Sequence, residues 1–325
     1  MQNQPEPAVA AKLDIAVRLL QEDDVATADH IMRVAFGTFL GIPDPASFMG
    51  DAGFVRNRRR ADPEAAFGAE VSGELVGSNF ATNWGSVGFF GPLTIRPDLW
   101  DRGVGKHLLD PVMECFARWG TAHAGLFTFA HSPKHVGLYQ RYGFWPRFLT
   151  AIMSKPVGPT ARSPRWTQFS EVKEREREAT LGACRQLTDK IYEGLDVSRE
   201  INAVAKLKLG DTVLLWDDAG LAGLAICHCG PDTEAGSGTC YVKFGAARQG
   251  PTARQDFDRL LAACEEMAAK GGLSRLVAGV NAARHEACGV MLERKFRTDM
   301  QGVSMHRPNE AGYSRTGLYL IDDWR

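Results

Sequence analysis

Asp101-Arg102-Gly103-Val104-Gly105-Lys106 is the stretch on which the fold turns. Before it lies an apolar run, 89–95, and after it a helical stripe of Leu108, Leu109, Val112, Met113 and Phe116. A compact apolar strand at 125–129 and a second helix follow, the latter ending in Tyr139, Gly143 and Phe144. The first N–H groups of a helix have no partner within it, and the helix dipole adds roughly half a positive charge there. Gly103 and Gly105 let the backbone turn sharply and approach a ligand, while Arg102 and Lys106 add charge, so the turn suits a phosphate. An ordinary strand-to-helix turn has the same composition, because glycine forms turns of many kinds.

Working outward, residues 65–71 and 74–81 read as a hairpin about Ser72-Gly73, and 87–95 as one strand stopped by Pro97. Upstream, a strand at 16–20 leads into a helix opened by Asp23-Asp24, with Met32, Ala35, Phe36 and Phe39 three and four apart. A run at 148–153 closes this half. Residues 155–165, with Pro156, Gly158, Pro159 and Pro164, are the expected linker, and 325 residues lead one to expect two domains.

The second half repeats the order: an exposed helix from about 171, strands at 211–216, 221–229 and 239–244, a helix at 253–270, a strand at 275–280 and a helix at 281–294. Setting Tyr139 opposite Met291, an offset of 152 (291 minus 139), brings Gly137 onto Gly289 and Phe144 onto Phe296. His135 then meets Ala287, and Gly143 meets Lys295. This is duplication followed by divergence.

Lys and Arg number 38 against 39 Asp and Glu, a net charge of -1, which gives no field to gather nucleic acid or an anionic membrane. No apolar run approaches 18 residues and the start has no secretory pattern, so a soluble, cytoplasmic protein with a small-molecule partner is expected. Seven scattered cysteines suit reduced thiols; Cys227-His228-Cys229 reads as buried strand cysteines, and no metal is expected. Arg58-Arg59-Arg60 reads as a solvated charged face or as a partner for a nucleotide phosphate.

Two motifs in order make the first half resemble the GNAT superfamily of N-acetyltransferases. One is Trp100-Asp101-Arg102-Gly103-Val104-Gly105, preceded by Leu93-Thr94-Ile95-Arg96-Pro97; the other is Leu138-Tyr139-Gln140-Arg141-Tyr142-Gly143-Phe144. Trp100 departs from the usual Arg or Gln, and Ser132 stands where Asn is common. The second half resembles the family more weakly: Arg248-Gln249-Gly250-Pro251-Thr252 replaces the glycine turn, Pro251 has no amide hydrogen, and Met291 cannot act as an acid.

The resemblance implies an α+β fold of two tandem GNAT-like domains, each a mixed, mostly antiparallel sheet flanked by helices. Their expected bounds are a tail at 1–12, a catalytic domain at 13–155, a linker at 156–165 and a degenerate domain at 166–325. It implies acetyl-CoA as cosubstrate, held by Leu93, Thr94, Ile95, Arg102, Gly103, Val104, Gly105, Lys106, His107 and Ser132, with Tyr139 as general acid in acetyl transfer to a small-molecule or protein amine. The base stays open among Glu70, Glu74 and His131. A monomer or homodimer with one working site is expected, its acceptor cleft shaped by 41–60 and the second half; a non-catalytic acyl-CoA sensor or a scaffold is the alternative.

Overall fold

The computed structural model describes residues 13–158 and 165–325, so the expected tail and most of the expected linker lie outside the described residues. The first half runs β1 (Ile15–Leu19), α1 (Val25–Phe39), α2 (Phe54–Ala61), β2 (Ala66–Val71), β3 (Glu74–Trp84), β4 (Val87–Phe90), β5 (Thr94–Ile95), α3 (Val104–Trp119), β6 (His123–Thr128), α4 (Pro133–Gln140) and β7 (Trp145–Pro156). The second runs β8 (Trp166–Gln168), α5 (Glu174–Asp189), α6 (Ser198–Leu207), β9 (Gly210–Asp217), β10 (Gly220–Gly230), β11 (Gly236–Ala247), α7 (Ala253–Lys270), β12 (Arg275–Asn281), α8 (His285–Glu293), β13 (Arg297–Arg307) and β14 (Leu320–Asp322).

The strands form one sheet in the order β1-β2-β3-β4-β6-β13-β7-β12-β11-β10-β9-β8, with β5 on β3 and β14 on β11. Among the described residues only β4–β6 and β11–β12 are parallel, so the expected α+β, mostly antiparallel architecture is the one found. The apolar stripe of α3 buries Leu108, Leu109, Val112 and Phe116 against Phe90, Leu126 and Phe144 of the first half. Each such side chain contributes about 1.5–3 kcal/mol when buried. Helix α7 buries Phe257, Leu260, Leu261 and Cys264 over the second half in the same way. A third cluster joins Trp84 and Phe89 to Leu214, Leu224 and Phe244, so apolar packing runs across both halves.

Strand β7 does not close the first half. It lies between β13 and β12, and β13 in turn lies between β6 and β7, so each half lends a strand to the other. The register shows why. Trp145 pairs with His306 and Ser154 with Arg297; subtracting 152 from the second-half numbers (306 minus 152 is 154, 297 minus 152 is 145) returns the same two positions. Thr150 pairs with Gly302, its own counterpart, so a pseudo-twofold passes through that pair. The partner of an antiparallel strand is a tertiary choice that local alternation does not encode.

Where β6 meets β13, His123 Nε2 lies 3.1 Å from His306 Nδ1 in a dry setting. Burial, helped by Arg147, lowers the His123 pKa to about 4; burial and then His123 lower that of His306 to about 3. Unfolded histidine titrates near 6.5, so the native state refuses protons that the unfolded chain accepts, and stability is whole above that pH and falls below it. A loss of about 2 kcal/mol between pH 7 and 5 is expected for His123 alone. Urea unfolding at the two pH values checks it: His123→Gln should shrink the difference by about that amount, and an unchanged difference would assign the acid sensitivity elsewhere.

Cys227 and Cys240 are fully buried, and Cys229 Sγ lies 3.7 Å from Cys240 Sγ, as strand cysteines facing one core. Among the described residues no cluster of His, Cys, Asp or Glu is placed to hold a metal, and no helix is long and apolar enough to cross a membrane.

Candidate functional site

Strand β4 stays beside β6 only as far as Phe89↔Gly125. The chain then breaks at Gly91-Pro92, where Gly91 takes φ 137° and Pro92 offers no N–H, and resumes as β5 on β3 through Gly77↔Ile95 and Ser78↔Thr94. The single strand expected over 87–95 is therefore two. Strand β6 meanwhile continues beside β13, so the parallel pair splays and the sheet opens between them. Among the described residues, the second edge of β5 has no strand neighbour.

A groove of about 430 Å³ lies along that edge, lined by Leu93, Thr94, Ile95, Gly103, Val104, Gly105 and Lys106. Gly103, in the left-handed region at φ 79°, caps α3, and the first residues of the helix, whose amides have no partner within it, line the groove. Seven of the expected contact positions thus come together. Three do not: Arg102 and His107 fall outside the lining, because side chains fan around a helix start, and Ser132 caps α4 by accepting from the His135 amide at 3.4 Å. Two basic side chains that sequence reasoning missed, Lys134 and Arg141, line the groove instead. Lys134 pairs with Asp101 at 2.8 Å and lies 5.5 Å over the Trp100 ring, whose Nε1 donates to the Ile95 carbonyl at 2.8 Å. Trp100 thereby braces the turn to the strand.

A second, apolar cavity of about 120 Å³ adjoins the groove through Phe36, Leu93 and His135. Phe48, Met49 and Phe54 come to it from the 41–60 segment, and Met300, Trp324 and Arg325 from the second half. Tyr139 faces it, buried, with no hydrogen bond to its hydroxyl, and burial pushes its pKa well above that of free tyrosine. The phenol is protonated at any physiological pH. The three sequence candidates for a base lie elsewhere. Glu70 accepts from Arg18 at 2.8 Å, Glu74 pairs with Arg96 at the hairpin at 3.4 Å, and His131 is exposed and stacked on Phe39. His135, one helical turn before Tyr139, lines both cavities; its spacing of four on an amphipathic helix was the signal that could have found it.

The arginine triplet is not at the groove. Arg58 is buried, donating to both Glu234 oxygens at 3.1 and 3.2 Å and to the carbonyls of Gly91 and Arg325; Arg59 pairs with Glu22. Lys243 joins Glu234 to Glu200, each at 2.9 Å, on the floor of a third cavity of about 290 Å³ between the halves, with Arg60 at its edge. Burial by itself would raise the Glu200 pKa, but Lys243 and then His228 outweigh it and bring it to about 2.

In the second half the corresponding strand edge is occupied. Strand β14 pairs with β11 at Phe244, Gly245 and Ala246, and subtracting 152 places these at 92–94 of the first half.

Residues 32–144 match the family model described as Acetyltransferase (GNAT) family. No curated protein matches the chain in sequence. Among solved structures, a Pyrococcus horikoshii protein designated an acetyltransferase aligns over 100% of this chain and 99% of its own, with TM-score 0.68 and 13% identity. A GCN5-related N-acetyltransferase from Sphaerobacter thermophilus aligns over 90% and 95%, with TM-score 0.60 and 15% identity. At such identities these likenesses speak to the fold, which they share along nearly the whole chain. Residues 32–144 therefore carry the signature of the GNAT acetyltransferase family, and a GNAT-like fold extends through both halves.

Proposed function

We propose that this protein transfers an acetyl group from acetyl-CoA to a primary amine at one site, in the first half. The observation that carries this reading is the meeting of the unpaired 93–95 edge and the Gly103–Lys106 amides in one groove that opens onto the cavity of Tyr139. The pyrophosphate would lie on the amides at the start of α3, near Lys106, Lys134 and Arg141, and the pantetheine arm would pair along 93–95 as an added strand. The thioester carbon then sits where groove and cavity join. A neutral amine attacks it, a backbone N–H of the strand end steadies the oxyanion, and Tyr139 protonates the departing sulfur. The second half would bind no cofactor, since β14 covers its strand edge and Pro251 offers no amide.

Melting with and without saturating acetyl-CoA tests this, with Gly105→Glu as control. A side chain at Gly105 meets only Leu93 and Leu138 at ordinary contact distance, so that variant should keep its fold and place a carboxylate where the pyrophosphate belongs. A rise of several degrees for the native chain, lost in the variant, is expected. No rise for the native chain would leave the acetyl-CoA reading without its ligand and favour a scaffold.

A further inference from the structure

We propose that His135 is the proton acceptor of the transfer, working as a pair with Tyr139 across one turn of α4. His135 lines both the cofactor groove and the apolar cavity, and Tyr139 lines the cavity four residues on, so the two rings stand on one side of the helix at the junction. Neither ring nitrogen of His135 has a hydrogen-bond partner among the described residues; Nδ1 is buried without one. A ring held by Phe39 at 5.0 Å, with no protein acceptor, is placed by packing and kept free for a ligand. Burial, then Lys134 and His131, lower its pKa, so it is neutral and able to accept a proton at pH 7.

The charged groups around it are few. Lys134 and His131 come from its own segment, Arg325 lies across the cavity, and Asp101 and Arg141 stand in the groove; no Asp or Glu side chain lines the apolar cavity. An acceptor entering as an ammonium ion would thus meet no acidic side chain to keep it charged, and His135 is the neutral base in reach. The ammonium gives one proton to the imidazole. Its nitrogen bonds to the acetyl carbon, the carbon–sulfur bond breaks, Tyr139 protonates the sulfur and recovers a proton from the nitrogen as the amide forms. The imidazolium releases the first proton to solvent, leaving amide, thiol and one proton.

This rests on the acetyl-transfer reading, and the experiment separates the two. Thiol release from acetyl-CoA would be followed from about pH 5 to about pH 9, a range that reaches below the ordinary histidine pKa of about 6.5, with phenethylamine, spermidine and a lysine peptide, for the native chain, His135→Asn and His135→Gln. Expected are unchanged thermal stabilisation by acetyl-CoA, kcat/KM at pH 7 lower by about 100-fold, and loss of the acid-side titration in the pH profile. Native kcat/KM and an unchanged profile in both variants would overturn the role of His135 while leaving acetyl transfer standing. If none of the three amines reacts, ring resonances of His135 decide: a shift on adding coenzyme A to the native chain is required, and its absence overturns the placement. Failure of the native chain to bind acetyl-CoA at all would instead remove the parent reading.

Discussion

Tyr139→Phe should lower kcat by about 100-fold and leave acetyl-CoA binding and melting temperature close to native. The hydroxyl has no partner in the fold, so removing it leaves no buried group stranded, while the ring keeps its contacts with Phe90 and the surrounding core. The cost falls on the chemistry alone. Thiols ionise near pH 8.5, which makes the thiolate a fair leaving group and puts the loss at the low end of the range for a missing general acid. Thiol release under saturating acetyl-CoA measures it, and a variant retaining half of the native kcat would show that the sulfur departs without help from Tyr139.

Arg58→Met should cost about 3–5 kcal/mol of stability. The substitution leaves Glu234 in a dry interior with Lys243 as its remaining cation, a partner already shared with Glu200, and strips two carbonyls of their donor. Replacing the ion pair as a unit, Arg58→Met with Glu234→Leu, should recover much of the loss, since a buried pair gains little over well-packed apolar groups. Denaturant unfolding of the two singles and the double gives the coupling. Additive losses would mean that the two side chains act separately and that Arg58 matters through the Gly91 and Arg325 carbonyls.

Local features of this chain were legible because local chemistry makes them. The hairpin around Ser72-Gly73, the helix begun at Gly103 and α7 at Ala253–Lys270 follow from turn residues and apolar spacing. The groove was legible for the same reason, since Leu93 to Ile95 and Gly103 to Lys106 belong to one strand–turn–helix unit. What stayed hidden depends on distant partners. Arg58 looks like surface charge until Glu234, 176 residues on, is brought against it. Strand β7 looks like the end of a domain, and β13, polar at its start, gave little signal because its alternation answers to two neighbours from the other half. Lys134, His135 and Arg141 lie on or beside the recognised helix, yet their use depends on which face α3 and α1 leave open.

The exchange of β7 and β13 also bears on how the molecule comes into being. Residues 32–144 carry the family signature, yet β6 has its antiparallel neighbour only when 297–307 arrives, and the His123–His306 contact closes a separation of 183 residues. A nascent first half leaving the ribosome therefore carries an unfinished sheet edge through the synthesis of nearly everything that follows, in a topology whose long-range pairings are slow to form. Neither half completes its sheet without a strand from the other. The second half, which has neither the glycine pair nor a tyrosine at Met291, supplies the strand that completes the sheet of the first.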